Sequence, residues 1–196
     1  ENGPVVIDGF SRIVRLGEGL GKSGNLCEDA IQRTISALRV CAGKIRRHNV
    51  VRSRHIATEA CRPAVHRKDF FETVEAETGI MLEAIPAEEE ATLTLAGCLP
   101  LLTGGHSRAL MFDIGGGSTE VVWIDATAPD GPKALDVISL PHGVVTLTED
   151  FGGRTNSGES YEDIVDLIDR NLAAFDARNA ISKAVSGGRV QMLGTS

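Results

Sequence analysis

The sequence predicts an α/β protein made of two similar units. Runs of apolar and β-branched residues alternate along the chain with segments whose apolar residues recur every three or four positions, as in strands and helices respectively. This alternation starts near residue 5 and again near residue 108. With 196 residues, of which 42% are hydrophobic and 24% charged, the chain is long enough for both units to bury cores. We therefore predict two α/β domains, residues 1–104 and 105–196.

The first half is expected to begin with a strand and to continue with helices and short strands. Residues 5–16 alternate as a strand does, and a glycine-rich turn follows. Residues 27–47 form an amphipathic helix, because their apolar positions lie on one face. The later elements are a strand ending at Ala57, a helical turn capped by Thr58, a helix at 68–78 closed by Gly79, a strand at 80–85 closed by Pro86, and a helix at 87–101.

The second half is expected to contain more strands than the first. Its predicted elements, in order, are strands at 108–113, 119–125 and 134–140, helices at 144–150 and 159–180, and a strand at 190–193. Strands followed by alternating helices and strands are typical of an α/β unit.

A glycine-rich loop joins the first two strands of the second half, with the sequence DIGGGSTE at residues 113–120. Glycine backbones reach positive φ and approach ligands closely, so residues 115–117 can direct successive N–H groups at an anion between Asp113 and Glu120. A β-branched segment follows and the loop lacks lysine, which argues against Rossmann and Walker motifs. The residues alone leave open a tight hairpin turn with spare glycines.

The charge distribution is uneven. The net charge of −7 argues against general nucleic-acid binding, yet residues 44–68 carry eight basic side chains and one acidic one. These side chains either form solvated helix faces or attract a polyanion.

The cysteines and histidines show no metal-ligand spacing, so we expect reduced core thiols, no zinc site and a cytoplasmic protein. No segment approaches the length of a membrane helix, and we expect no membrane partner.

Six segments follow one another in the order found in a known family. They are RIVRLGEGL at 12–20, ATEACR at 57–62, AEEEA at 87–91, DIGGGSTE at 113–120, SLPHG with LTE at 139–149, and LGTS at 193–196. The chain thereby resembles the exopolyphosphatase and guanosine pentaphosphate phosphohydrolase (Ppx/GppA) phosphatase family of the actin, sugar kinase and Hsp70 superfamily. The resemblance implies two actin-like (ribonuclease H-like) domains with an interdomain cleft. Both are expected to be incomplete here, because the family's first phosphate hairpin is expected before residue 1 and the rest of the second domain after Ser196. It departs at Thr92, where the family usually has arginine.

The resemblance also implies Mg²⁺-dependent hydrolysis of a phosphoanhydride and gives residues their roles. Glu90 would be the general base, Asp113 and Glu120 would hold Mg²⁺, and Arg62 would contact a phosphate. N–H groups for the terminal phosphate would come from Gly115, Gly116, Gly117 and Ser118. The residues alone leave open an alternative for each role: Glu90 as a helix-start acid, Asp113 and Glu120 as solubilising carboxylates at strand ends, and Arg62 as a surface ion-pair partner.

We expect the substrate to be inorganic polyphosphate, since basic residues 44–68 can follow a polyanionic chain. Guanosine pentaphosphate is the alternative, because both substrates offer a terminal phosphoanhydride. A small-molecule kinase and a nucleotide-binding module of the same superfamily are less favoured, because the motifs near Arg62 and Glu90 resemble those of the hydrolases. The family also implies a homodimer.

Overall fold

The computed structural model describes residues 5–152 and 158–195 as a mixed α/β chain, and residues 1–4, 153–157 and 196 lie outside the description. The chain divides into two compact units, Glu1–Ala84 and Ile85–Ser196. Each unit contains helices and a β-sheet, so the predicted α/β class is confirmed.

The first unit is mainly helical. Its elements are α1 (Leu20–Ser23), α2 (Glu28–Arg47), β1 (Ile56–Ala57), a 3₁₀ turn (Glu59–Cys61), α3 (Arg67–Thr78) and β2 (Glu83–Ala84), with β1 and β2 parallel. Acidic side chains begin α2 and basic ones end it, which complements the helix dipole. Its apolar face packs against α3 in a core that includes Ile35, Phe70 and Val74. The predicted helices at 27–47 and 68–78 thus match α2 and α3.

The strand predicted at residues 5–16 is wrong, because these residues form no strand. A strand needs backbone hydrogen bonds to a neighbour, and within the described residues no segment pairs with this one. Its apolar side chains at Val5, Val6 and Ile7 are more than 70% exposed. The strand predicted at 80–85 is limited to the two residues of β2 for the same reason, since β1 offers it only two partners.

The second unit is built on a four-stranded sheet. Its elements are α4 (Ala87–Cys98), a 3₁₀ turn (Leu99–Leu101), β3 (Arg108–Ile114), β4 (Thr119–Asp125), β5 (Lys133–Leu140), α5 (Val144–Asp150), α6 (Gly158–Asn179), α7 (Ile181–Ser186) and β6 (Val190–Thr195). The strand order is β5-β4-β3-β6, in which β3, β4 and β5 are antiparallel neighbours and β6 is parallel to β3.

Helices cover both faces of this sheet. Ala91 and Leu95 of α4 pack on one face against Met111 and Val122. The other face packs against α6 and α7 around Phe175. Since α4 packs on this sheet, it belongs to the second unit, whereas the sequence-based domain boundary follows it at residue 104.

Helix α7 is not predicted from the sequence, in which the preceding helix is expected to end at residue 180. Ala180 adopts a left-handed conformation (φ 52°) that separates α6 from α7. Asp176 bridges the break, since its carboxylate accepts hydrogen bonds from the backbone N–H and the hydroxyl of Ser182, both 2.7 Å long. These bonds, the one from the backbone N–H first, lower the pKa of Asp176. The break thus depends on side-chain contacts that form only in the fold.

Gly194 lies beside an aromatic ring, and we expect its replacement by alanine to destabilise the second unit. Gly194 of β6 pairs with Phe112 of β3, and a Cβ atom would lie 2.7 Å from the ring carbon Cε2. Because Phe112 packs in the core around Phe175, Gly194→Ala should lower the unfolding free energy by about 1–3 kcal/mol, measured by urea denaturation. Gly97→Ala is the control, since a Cβ in this exposed helical position meets no atom within 4 Å. Equal stability of the two variants would contradict the packing argument.

All four cysteines lie outside disulfides, and Cys27 and Cys41 are half-buried, so the expected place in a core is found for the other two. Cys61 and Cys98 are buried, and burial raises the pKa of the Cys61 thiol to about 11. Among the helices of the described residues, none has the length and apolar character needed to span a membrane.

Candidate functional site: a polar row beside a glycine loop

Four polar residues form a row across the sheet at the end where β3 meets the glycine loop. Glu120 of β4 pairs with Asp113 of β3 on one side and with Ser139 of β5 on the other, and Asp113 also pairs with Thr195 of β6. Directly paired residues in neighbouring strands place their side chains on the same face. The predicted metal ligands Asp113 and Glu120 are therefore adjacent.

Hydroxyl groups hold both carboxylates of this row. Ser139 Oγ donates a hydrogen bond to Glu120 Oε1 (2.8 Å), and Thr195 Oγ1 donates one to Asp113 Oδ1 (2.7 Å). Glu120 is only 1% exposed, whereas Asp113 is half-buried. A buried carboxylate requires hydrogen bonds or a cation to offset its lost hydration. Each hydroxyl meets part of this requirement and limits the rotation of the carboxylate that it contacts.

Helix α4 lies on the same face and connects Glu90 to the row. Thr94 Oγ1 donates a 3.3 Å hydrogen bond to Asp113 Oδ2. Glu90 lies four residues before Thr94, so both project from one side of the helix. Since the short 99–107 connection leads from the end of α4 to the start of β3, the beginning of α4 lies toward the end of β3. With a rise of 1.5 Å per residue, Glu90 is about 6 Å beyond Thr94 in the direction of the glycine loop.

The glycine loop has a closed base and available amides. The N–H group of Gly115 donates to the carbonyl of Ser118 (2.9 Å), so this amide is used within the loop. In the part of the chain that the structure describes, the N–H groups of Gly116, Gly117 and Ser118 have no intramolecular acceptor. Three consecutive amides without acceptors are suited to binding an anion.

The conformational reason expected for these glycines is wrong in part. Neither Gly115 nor Gly116 has a φ in the left-handed region. Space is the constraint at Gly115, because a Cβ there would lie 3.3 Å from the carbonyl oxygen of Ser118, whereas a Cβ on Gly116 would be in ordinary van der Waals contact with Val145 at 3.6 Å. Gly115 thus allows the two ends of the loop to approach closely rather than an unusual backbone turn.

Arg62 lies in the first unit, whereas the other predicted site residues lie in the second. Its Nε and Nη2 atoms donate hydrogen bonds of 2.9 and 2.7 Å to Glu59 Oε2, and the pair is partly exposed. This is the ion pair that the bare sequence left open. A role for Arg62 in phosphate binding stays a prediction.

Much of the basic charge between residues 44 and 68 is also paired. Five of the eight basic side chains contact carboxylates: Lys44 and Arg47 with Asp8, Arg54 with Glu83, Arg62 with Glu59, and Lys68 with Glu72. The hydrogen bond from Lys44 is the main cause that lowers the pKa of Asp8 well below its usual range. The attraction of this segment for a polyanion is therefore smaller than its composition suggests.

The donor set of the polar row fits Mg²⁺. This ion is commonly held by one or two carboxylates, with water and phosphate oxygens as the other ligands. Asp113 and Glu120 supply two adjacent carboxylates, and Asp113 Oδ1 and Oδ2 are contacted by hydroxyls. Within residues 5–152 and 158–195, no three His, Cys, Asp or Glu side chains cluster as a larger metal cage would need.

The hydroxyl residues of the site are not predicted from the sequence. Among them, only Thr94 could be found from the local sequence, because it lies one helical turn after Glu90. Ser139 and Thr195 are identified by strand register, which the sequence does not contain. A cavity of about 590 Å³ lies on the other face of the sheet, between β3 and β4 and helices α6 and α7, and is separate from the polar row.

Comparison with known proteins identifies the relatives of this chain. A model of the Ppx/GppA phosphatase family matches residues 4–196. The solved structure of the Aquifex aeolicus member of that family is 33% identical over 84% of this chain and 52% of its own, with a TM-score of 0.59. An exopolyphosphatase-like protein is 28% identical over 94% of this chain and 56% of its own, with a TM-score of 0.76.

An exopolyphosphatase from Cytophaga hutchinsonii has the same fold, with a TM-score of 0.72 over 91% of this chain and 55% of its own, at 23% identity. This chain thus spans about half the length of the solved structures that it matches. Because the family match extends over nearly every residue, the chain belongs to the Ppx/GppA phosphatase family.

Proposed function

We propose that this chain carries the phosphate-binding and metal-binding part of an exopolyphosphatase, which releases orthophosphate from the end of inorganic polyphosphate. The observation that carries the proposal is the placement of paired carboxylates, Asp113 and Glu120, at the base of a loop with three available amides. Hydrolysis of a phosphoanhydride requires charge neutralisation at the terminal phosphate and a positioned water molecule. The loop amides, together with Mg²⁺ if Asp113 and Glu120 hold it, would supply the first of these.

Glu90 supplies the second. Its half-buried side chain starts from the turn of α4 that lies toward the loop. As general base, the carboxylate accepts a proton from water while the water oxygen bonds to the terminal phosphorus and the anhydride P–O bond breaks. The shortened polyphosphate leaves with the bridging oxygen. The exposed Glu88 and the neighbouring Glu89 contribute negative charge at the helix start.

The loop amides stabilise charge on the phosphate oxygens. N–H groups of Gly116, Gly117 and Ser118 have no competing acceptor in the described chain, so hydrogen bonds to phosphate oxygens cost no existing bond. Asp113 and Glu120 would hold Mg²⁺, which when bound neutralises negative charge on the phosphate oxygens. Thr94, Ser139 and Thr195 keep these carboxylates oriented.

Guanosine pentaphosphate is the second candidate substrate. The pairing of five basic side chains between residues 44 and 68 with carboxylates favours it, because the polymer then gains less from this segment. Three basic side chains of the segment have no carboxylate partner among the described residues: Arg46, Arg52 and Arg67. They remain available to bind phosphate groups further along a polyphosphate chain.

We expect the full-length protein to release phosphate from polyphosphate with a kcat/KM at least about tenfold above that for guanosine pentaphosphate, a difference of about 1.4 kcal/mol in transition-state stabilisation. The measurement is phosphate release from each substrate at matched Mg²⁺ and salt. Neutralising Arg46 and Arg52 together should reduce this preference and leave guanosine pentaphosphate turnover unchanged. A preference for guanosine pentaphosphate would reverse the substrate assignment, and phosphate transfer to an acceptor other than water would overturn the hydrolase assignment.

A further inference from the structure

The start of helix α5 is bonded to the glycine loop. The N–H group of Val144 donates to the carbonyl of Gly115 (3.0 Å), and that of Val145 donates to the carbonyl of Gly116 (2.8 Å). The amides that a helix start usually offers to a ligand are thus used here by the loop. Helix α5 therefore contacts the carbonyl side of the loop.

The planarity of the peptide bond turns this contact into an orientation of the loop amides. In a trans peptide the carbonyl oxygen of one residue and the N–H group of the next point in opposite directions. The described chain contains no cis peptide bond. Because α5 holds the carbonyls of Gly115 and Gly116 toward itself, the N–H groups of Gly116 and Gly117 point away from it.

Gly143, at the N-terminal cap of α5, permits the contact. A Cβ atom at this position would lie 2.5 Å from the Gly115 oxygen and 2.5 Å from the carbonyl carbon of Gly116. These are backbone atoms, so no side-chain rotation relieves the overlap. The φ of Gly143 is −123°, which any residue adopts, and close approach is therefore the reason for glycine.

Two threonine hydroxyls fix the segment that precedes α5. Thr146 Oγ1 accepts a hydrogen bond from the N–H group of Gly143 (2.8 Å) and donates one to the Gly143 carbonyl (3.1 Å). Thr119 Oγ1, at the start of β4, donates to the carbonyl of His142 (2.6 Å). The segment is thus fixed to the helix that follows it and to the strand that leaves the loop.

We propose that Gly143 and Thr146 are positioning residues that keep the amides of Gly116 and Gly117 directed at the terminal phosphate of the substrate. This inference rests on the proposed function and adds a requirement to it. When the contact with α5 is lost, the Gly115–Gly116 and Gly116–Gly117 peptide units are free to rotate. The anion then loses donors even though every residue of the loop is unchanged.

Thr146→Val and Gly143→Ala test the proposal in the full-length protein. Loss of one preorganised donor to a reacting anion costs about 10²–10³-fold in kcat. We expect kcat for phosphate release to fall about 10²-fold in each variant. In ¹⁵N-resolved NMR spectra, the Gly116 and Gly117 amide signals should shift with inorganic phosphate in the parent and respond weakly in the variants. Mn²⁺ binding should be unchanged, because Asp113 and Glu120 lie on strands. Hydrogen exchange at Val144 and Val145 should become faster.

Thr148→Val is the matched control, because it is the same substitution two residues further along α5, where the hydroxyl bonds only to Val144 within the helix. It should behave like the parent. A parent protein that hydrolyses neither substrate, and whose loop amides do not respond to phosphate, would overturn the proposed function itself. If the parent hydrolyses a substrate and its loop amides respond to phosphate, but Thr146→Val behaves like the parent, only the positioning role is overturned. Should Gly143→Ala fail to fold, Thr146→Val alone decides.

Discussion

Replacing Glu90 by glutamine is expected to lower kcat for phosphate release by about 10³-fold, within the range that general bases contribute. Glutamine has the size of glutamate and keeps an oxygen that can orient water, but it does not accept the proton. Binding of polyphosphate should change less than about twofold, since the loop amides and the Asp113–Glu120 pair are unaffected. Steady-state phosphate release and equilibrium binding of a short polyphosphate, measured on the same preparation, separate the two effects.

Glu88→Gln is the control for this prediction. Glu88 lies in the same helical turn as Glu90 and is exposed, so its replacement changes the charge at the helix start by the same amount. It should leave kcat unchanged. Weaker binding with unchanged turnover per bound substrate would refute the base assignment.

The elements predicted well from the sequence are those whose side-chain pattern follows directly from burial. The 3.6-residue repeat of α2 places Ile35 and Ala42 in the core, and the predicted helix differs from the observed one by a single residue. Strands β3 and β4 were predicted to within one residue because continuous apolar runs end at a glycine loop whose flanking strands pair with each other. In these segments, local pattern and tertiary packing require the same conformation.

The errors arise where the conformation depends on a partner elsewhere in the fold. Residues 5–16 alternate like a strand, but an alternating pattern supplies no backbone hydrogen bonds. The break at Ala180 is equally invisible to periodicity, because it is maintained by Asp176 and Ser182, and Arg178 and Asn179 bond to Asp136 of β5. The hydrogen bond from Arg178 is the main cause of the lowered pKa of Asp136.

In the candidate site too, residues set by the local sequence were predicted and residues set by a distant partner were not. The sequence supplied Asp113, Glu120 and the loop, because their spacing along the chain is the motif itself. Ser139 and Thr195 were not predicted, because their places beside Glu120 and Asp113 depend on strand register. Strands β1 and β2 differ from this case, because their apolar sequence predicts longer strands. They pair at only two positions each, so only two residues of each are strand.

Replacing Asp113 by asparagine is expected to reduce kcat/KM by about 10³-fold, equal to about 4 kcal/mol of transition-state stabilisation. The amide removes one negative charge from the pair with Glu120, so affinity for a divalent cation falls. The fold should persist, because the asparagine side chain still accepts or donates hydrogen bonds and the hydroxyls of Thr94 and Thr195 do both. Raising Mg²⁺ should restore part of the activity. Phosphate release against Mg²⁺ concentration and Mn²⁺ binding by electron paramagnetic resonance measure the two quantities.

Thr195→Val completes the test, because it removes the 2.7 Å hydrogen bond to Asp113 and keeps the carboxylate charge. Groups that orient metal ligands typically contribute about 10–100-fold to metal affinity or activity, so this variant should fall between the parent and Asp113→Asn. Asp125→Asn is the control for loss of a carboxylate, since Asp125 lies at the opposite end of the same hairpin and pairs with Arg108. If Asp113→Asn and Asp125→Asn had equal Mn²⁺ affinity, the polar row would not be the metal site, and the charge at the glycine loop would require another explanation.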